Sequence, residues 1–341
     1  MSINKIQLNN ITVFDDFTLE FSPGINVFLG ENGLGKTHLM KILYSACQSS
    51  KSSETFPHKI TKCFFPDEFK INRLISRRQG NTSGTIKVWA SKEDTNGNKV
   101  LSTEFSNKTK KWDAVTKGEE GWEKTFSAMS SIFIPAKEIL SNSYNLQAAV
   151  DKENVRFDDT YIDIINSAKI NITPGKNSNG KEKKLKEIEK IISGKVHYDS
   201  NKDQFYLKSG NSSLEFNLLA EGIRKIALLW QLVKNGTLEK GSVLFWDEPE
   251  SNINPIHIPV IVDILLMLQS EGVQIFITTH DYFLSKYLNK RTENSTISFI
   301  SLYKESDTVR YEKNTSFIEL KKNSIMDSFF KLYYEEIGLE D

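Results

Sequence analysis

The densest chemistry in this sequence lies in eight consecutive residues, Gly30-Glu31-Asn32-Gly33-Leu34-Gly35-Lys36-Thr37. Glycines at this spacing let the chain turn so tightly that several backbone N–H groups converge on one point, and the start of a following helix adds partial positive charge there. The pattern G-x-x-x-x-G-K-[ST] suits a chain of phosphates. Lys36 would supply a point charge to the β and γ phosphates of ATP, the Thr37 hydroxyl would ligate Mg²⁺, and Gly30 through His38 would form the binding segment. The plainer alternative is a structural glycine turn. A second constellation, Asp247 and Glu248, closes the apolar run Val243-Leu244-Phe245-Trp246. Neighbouring residues at a strand tip point to different sides, so two acids there can take two jobs. Asp247 would hold Mg²⁺ through its water shell, and Glu248 would polarise an attacking water as a general base. Taken alone, the same residues read as a strand end followed by an acidic turn. His280 stands just after another apolar run, a position where a histidine can be a ligand or simply structural.

These residues need rigid elements to hold them. Residues 3–13 and 17–21 read as paired strands, and Ile25–Leu29, bounded by Gly24 and Gly30, reads as a buried strand. From Lys36 onward Leu39, Met40, Ile42, Leu43 and Ala46 fall on one helical face, so strand, glycine loop and helix follow one another. Short alternating runs at 85–89 and 100–105, separated by the polar turns EDTNGN and SNKTKK, predict an antiparallel β subdomain over 61–130. Ser131–Ile134 predicts a return to the core sheet. Residues 131–217 then supply a lid strand and a mostly helical, Lys-rich insertion ending in a hairpin. Within it, residues 176–195 hold seven lysines against three glutamates, either a solvated helix face or a docking patch for nucleic acid or a protein. The α/β pattern resumes at 218–341, with a helix over 221–235, a strand at 243–246, a helix over 256–270 and the strand Gln274–Thr278. Strands at 296–303 and 308–312 and an aromatic-rich terminal helix complete it. Both ends, 1–60 and 218–341, are thus expected to build one core with the middle inserted.

The 341 residues carry 44 basic and 44 acidic side chains, so no global field advertises nucleic acid or a basic partner. A charged fraction of 26% and a hydrophobic fraction of 38% are those of a folded globular protein. Two cysteines, Cys47 and Cys63, without metal-ligand spacing, imply a reducing, cytoplasmic compartment. The N-terminus lacks a basic stretch followed by an apolar one, and the longest nearly apolar run, 258–268, contains Pro259 and Asp263. That run is about half the length needed to span a bilayer, so no membrane association is expected.

The order of the motifs resembles that of the ABC-type ATPases of the AAA family. GENGLGKT is followed by a signature-like segment (Leu219-Ala220-Glu221-Gly222-Ile223-Arg224), by VLFWDEPE, by the loop Ser251-Asn252-Ile253-Asn254-Pro255, and by Thr278-Thr279-His280-Asp281. In that superfamily these are the Walker A, signature, Walker B, D-loop and H-switch elements. The similarity is to the RecF, SMC and overcoming-lysogenisation-defect group, and to ATPase subunits of phage-defence systems such as PARIS and Septu. It covers about the first 45 residues and 218–285. It implies an α/β P-loop NTPase fold of ABC type, with a mixed central sheet, an antiparallel β subdomain and an inserted helical region. It also implies ATP hydrolysis in a homodimer or higher oligomer that sandwiches ATP, each subunit offering its signature helix to the partner's γ-phosphate. Gly222 would sit at that helix start, and His280 would sense the γ-phosphate. Two features depart from the family pattern. Ala220 replaces the signature serine, leaving Arg224 either to take over a phosphate contact or to be a plain helix-surface arginine. The lid glutamine is absent after SIFIP, where Lys137 and Glu138 stand instead, and Glu138 would contact metal or water or form a structural ion pair. For the adenine, Phe14 or Phe17 would stack on the base or belong to the core.

The resulting expectation is an ATP-driven switch controlling a separate effector, a nuclease or toxin, because the nucleotide machinery is nearly complete and about 60 residues past His280 leave no room for a nuclease domain. The alternative is a RecF-like repair ATPase that binds DNA. A transporter subunit is disfavoured by the missing glutamine, the altered signature and the inserted middle.

Overall fold

The computed structural model describes residues 2–51, 54–77, 80, 82–92, 97–152, 156–171, 179–292 and 297–338. The turn residues 93–96 and the start of the Lys-rich run lie outside them. The chain runs β1 (Ser2–Ile11), β2 (Phe14–Glu20), β3 (Ile25–Leu29), α1 (Lys36–Gln48), α2 (Phe56–Phe64), β4 (Ser83–Ser91), β5 (Lys99–Ser106), β6 (Val115–Lys117) and α3 (Glu119–Phe126). It continues through β7 (Ser131–Ile134), α4 (Leu146–Asp151), α5 (Asp159–Lys169), α6 (Asn179–Ile192), β8 (Lys195–Asp199), β9 (Gln204–Ser209), β10 (Ser212–Glu215), α7 (Glu221–Lys234), β11 (Val243–Asp247) and α8 (Ile258–Ser270). It closes with β12 (Gln274–Thr278), α9 (Tyr282–Arg291), β13 (Ile297–Glu305), β14 (Thr308–Asn314) and α10 (Ser324–Glu336).

Two compact units result, one of residues 1–129 and 276–341, the other of residues 130–275. In the first, β2-β1-β4-β5-β6 form an antiparallel sheet. The period-2 pattern of β4 buries Gly84, Ile86, Val88 and Ala90 on one side, as alternation requires of a half-buried strand. The expected boundary at residue 60/61 therefore does not divide this sheet: β4 pairs along β1 from Asn9–Thr85 to Ser2–Ser91, so strands from both sides of it share one ladder. β3 is buried on both faces and lies parallel to β13, which in turn pairs antiparallel with β14, making this second sheet mixed. The helical face read from the sequence is the buried one, with Leu39, Met40, Ile42, Leu43 and Ala46 all inside. Trp122 of α3 closes over α1, its indole N–H donating to the Ala46 carbonyl at 2.9 Å.

In the second unit β11 lies parallel to β7, in register from Val243–Ser131 to Trp246–Ile134. The expected hairpin is a three-stranded antiparallel sheet, β10-β9-β8. The amphipathic helices α5, α7 and α8 bury their apolar faces, and Gln231 of α7 donates to the Ala168 carbonyl of α5 at 2.9 Å. Residues 218–275 thus group with 130–217, a different division from the expected one. Cys47 and Cys63 are both free and buried. Among the described residues no helix is long and apolar enough to cross a membrane.

Candidate functional site

In the first unit the glycine loop bridges the buried strand β3 and helix α1. Gly35 is the N-cap residue of α1 at φ +86°, and a Cβ there would lie 2.6 Å from the Phe14 ring. Gly30, at φ +124°, would place a Cβ 2.2 Å from the Leu302 carbonyl oxygen. No larger residue fits either position, so the loop is pinned on two sides by β2 and β13. Helix α1 has neither a side-chain cap nor an acid in its first turn. Its helical bonding begins at the loop, with the Leu39 N–H donating to the Gly35 carbonyl at 2.9 Å. An end of that kind favours an anion.

Lys36 is almost fully buried, and its ammonium donates to the carbonyls of Gly30 at 2.7 Å and Glu31 at 2.8 Å. The charge is therefore held across the mouth of its own loop. Thr37 is the second residue of the helix. His38 departs from a simple binding role: its ring is tilted against Phe64 at 5.2 Å and its Nδ1 is buried without a hydrogen-bond partner. Burial, and secondarily the charge of Lys41, lowers its pKa to about 4. It stands as a neutral ring, and only its backbone N–H is suited to a phosphate. Glu31, Asn32 and Gly33 are exposed at the loop crest. Beside the crest, Thr12, Val13, residues 31–34, Tyr303 and Asn323 help line a cavity of about 670 Å³, a size typical of small-ligand sites.

Of the two readings open for Phe14 and Phe17, packing selects the core. Phe14 is fully buried and Phe17 nearly so, 4.6 Å apart centroid to centroid, with Phe17 also edge-on to Tyr311. Phe14 acts on the loop instead, as the wall against which Gly35 packs. His280 lies in the same unit. The Thr279 N–H donates to the Phe28 carbonyl of β3 at 3.1 Å, two residues before Gly30, and Asp281 caps α9 by accepting from the Leu284 N–H. Thr279 is buried while His280 is exposed, so the backbone hung on β3 presents the imidazole to solvent.

The second unit collects the other candidates. Asp247 ends β11 and is buried, and its negative charge, with that of Asp158, adds to burial in raising the Tyr161 pKa. Glu248 follows at φ +47°, a left-handed conformation that costs a non-glycine residue roughly 1–3 kcal/mol. Its carbonyl accepts from the Ser251 N–H at 3.1 Å. Gly222 sits in the first turn of α7, where an added Cβ would lie 2.3 Å from the Asn252 carbonyl oxygen. The signature and the D-loop are thus in direct backbone contact, which explains the glycine by close approach.

Arg224 is committed elsewhere than to a phosphate. Its Nε donates to Glu138 at 2.6 Å, its Nη1 bonds the Leu219 carbonyl, and the Glu138 side chain is 1% exposed. Glu138 also accepts from the Ser141 N–H at 3.2 Å. For Glu138 the structure selects the ion pair, and Arg224, expected as a phosphate contact or a plain helix-surface arginine, is its largely buried partner. Lys225, one residue further, was not singled out in the sequence and proves to be central. It is 2% exposed, and its ammonium donates to the Ser251 carbonyl at 2.9 Å and to the Ser251 hydroxyl. Burial lowers its pKa, while Glu221, Glu250, Glu248 and Glu138 pull it back up. Its position beside Arg224 on a helix with an apolar face was the only signal available.

Thr37 in the first unit offers a hydroxyl and Asp247 in the second a carboxylate, each a hard oxygen of the kind Mg²⁺ prefers. Among the described residues no cluster of three or more acidic, His or Cys side chains stands ready to bind a metal by itself.

This α/β architecture resembles that of the SMC head. The SMC head bound to the C-winged helix domain of ScpA superposes with a TM-score of 0.61 at 11% identity, covering 92% of this chain and 98% of that one. An SMC head with extended coiled coil from Pyrococcus furiosus, bound to the C-terminal domain of ScpA, gives 0.56 at 10% identity over 98% of each chain. Residues 25–286 match the family described as "AAA domain, putative AbiEii toxin, Type IV TA system", and the chain belongs to that family. In sequence it is also similar to the DNA replication and repair protein RecF of Staphylococcus aureus strains JH9 and Newman, 36% identical over 88 residues. That match spans 26% of this chain and 24% of RecF.

Proposed function

We propose that this chain binds and hydrolyses ATP, pairs with a second copy around it, and acts as a regulatory or sensor subunit that controls a separate effector, a nuclease or toxin, in bacterial anti-phage defence. The observation that carries the nucleotide reading is the loop itself: an uncapped, acid-free helix start beside a lysine held across the loop mouth by two carbonyls. Lys36 and the loop N–H groups bind the phosphates, Thr37 and Asp247 hold Mg²⁺, Glu248 takes the proton of the attacking water, and His280 senses the γ-phosphate. Gly222 and its neighbours would offer a helix start to the partner copy's nucleotide. Bound Mg²⁺ would neutralise phosphate charge. The toxin–antitoxin system in the family description supports control of a partner, and the site of action is the cytoplasm.

Replacing Lys36 with Ala removes the main side-chain charge for the phosphates. ATP binding measured by calorimetry, and the ATP-induced rise in mass measured by light scattering, are both expected to be lost. Tight ATP binding by Lys36→Ala would remove the phosphate-loop assignment.

A RecF-like DNA-binding role is the second reading. It is favoured by the RecF similarity and by five lysines, Lys186, Lys190, Lys195, Lys208 and Lys234, that line one open cavity of about 890 Å³.

A further inference from the structure

We propose that Lys225 is a positioning residue for ATP turnover: its buried ammonium holds the D-loop at Ser251 and thereby keeps Glu248 in the strained conformation that aims its carboxylate. The proposal rests on the reading of Glu248 as the general base.

A lysine is almost never fully buried unless its charge is engaged, and keeping an ion there costs several kcal/mol that a methionine of similar length would not. Lys225 is 2% exposed, and its described hydrogen bonds both go to one residue, the Ser251 carbonyl at 2.9 Å and the Ser251 hydroxyl. Ser251 passes the restraint on in two directions. Its hydroxyl donates to the Ala136 carbonyl at 3.2 Å, next to the lid position, and its N–H donates to the Glu248 carbonyl at 3.1 Å. Glu248 holds φ +47°, which persists only where the surroundings over-determine it. The chain of restraint is thus ammonium, serine, glutamate backbone.

A second contact makes the assembly stiff. Asn252, next to Ser251, lies with its carbonyl oxygen 2.3 Å from where a Gly222 Cβ would be, so the first two turns of α7 meet two consecutive D-loop residues, at Gly222 and at Lys225. Any shift of α7 along its axis is therefore relayed to Glu248 through two hydrogen bonds, Lys225 to Ser251 and Ser251 to Glu248. The acids around the ammonium, Glu221, Glu250, Glu248 and Glu138, come from α7, from the segment after β11 and from the lid. One positive charge at their centre offsets mutual repulsion that would otherwise push the carboxylates apart. A neutral side chain of equal volume would keep the packing and lose both functions.

The test is Lys225→Met beside Lys225→Arg, read in two ways. Hydrogen exchange reports the restraint without any need for activity: in Lys225→Met the amide of Ser251 is expected to exchange at least about 10-fold faster, with the amides at the start of α1 unchanged. Unchanged exchange at Ser251 would overturn the proposal whether or not the protein hydrolyses ATP. Steady-state kinetics then report the consequence. In a protein that hydrolyses ATP, Lys225→Met is expected to lower kcat about 10- to 100-fold with KM within about 3-fold, and Lys225→Arg to recover most of it. In a Glu248→Gln background Lys225→Met is expected to add nothing, because the carboxylate it aims is gone. An equal further loss in that background would reduce Lys225 to a packing residue. Should Lys225→Met fail to fold, Ser251→Ala, which removes one acceptor of the ammonium, takes its place with the same expected outcomes. An absence of ATPase activity in the unaltered protein would instead count against the function proposed above.

Discussion

His38 lies in the first turn of the helix that follows the phosphate loop, yet its ring is turned against Phe64 and taken out of water. Its pKa of about 4 lies below the ordinary 6.5, so between those values the unfolded chain binds a proton that the folded one does not. Stability therefore rises with pH through this window and is lost as pH falls below about 6.5 toward 4. The shift is worth about 1–3 kcal/mol once partial exposure of the ring is allowed for. Urea midpoints of His38→Phe should fall less steeply from pH 7 to 4.5 than those of the unaltered protein, and parallel curves would remove this account. The residue type alone could not announce that behaviour. The same holds for Arg224 and Glu138, whose side chains are 86 positions apart and meet only because α7 and the segment after β7 pack together. Breaking such a buried pair typically costs 3–5 kcal/mol, so both residues serve stability even if neither touches nucleotide.

At the scale of elements, local pattern was informative wherever one face of a strand or helix decides its fate. The run Ile25–Leu29, its glycine boundary and the apolar stripe of α1 were all readable, because burial of one stripe repeats at the period of the helix. Gly222 shows the limit. Read as a helix residue it should be improved by Ala, by up to about 1 kcal/mol of propensity. The Asn252 carbonyl reverses that sign, since a Cβ 2.3 Å away forces backbone apart and overpacking costs about 1–3 kcal/mol. Gly222→Ala is therefore expected to lower the melting temperature by several degrees, whereas a rise would show that α7 and the D-loop are not locked together. Likewise, the strands at β4 and β5 were visible as alternation, but the pairing of β4 with β1 was not. Partner choice in a sheet depends on residues about 80 positions distant.

For the molecule as a whole, zero net charge conceals local fields. Lys186, Lys190, Lys195 and Lys208 are exposed around the cavity of the second unit, and Glu189 there is engaged by the Trp230 indole N–H and by Lys195. If this face binds duplex DNA, each phosphate neutralised contributes about −0.9 to the slope of log K against log salt, so five lysines predict a slope of about −4 to −5. The double variant Lys186→Glu, Lys190→Glu should flatten the slope by about 2. Absent or salt-independent DNA binding would leave the effector-control reading alone.

The sequence by itself determined the glycine loop between β3 and α1, the acid pair at the end of β11 and the order of motifs, because each is a contiguous run legible in its spacing. Only the tertiary structure decided that Phe14 braces Gly35 instead of meeting a base, that Arg224 turns inward to Glu138, and that Lys225 grips Ser251. Those outcomes depend on which distant backbone and side-chain groups the fold brings within a few ångströms. Burial, pairing and strain of this kind leave no local period or spacing in the chain to read.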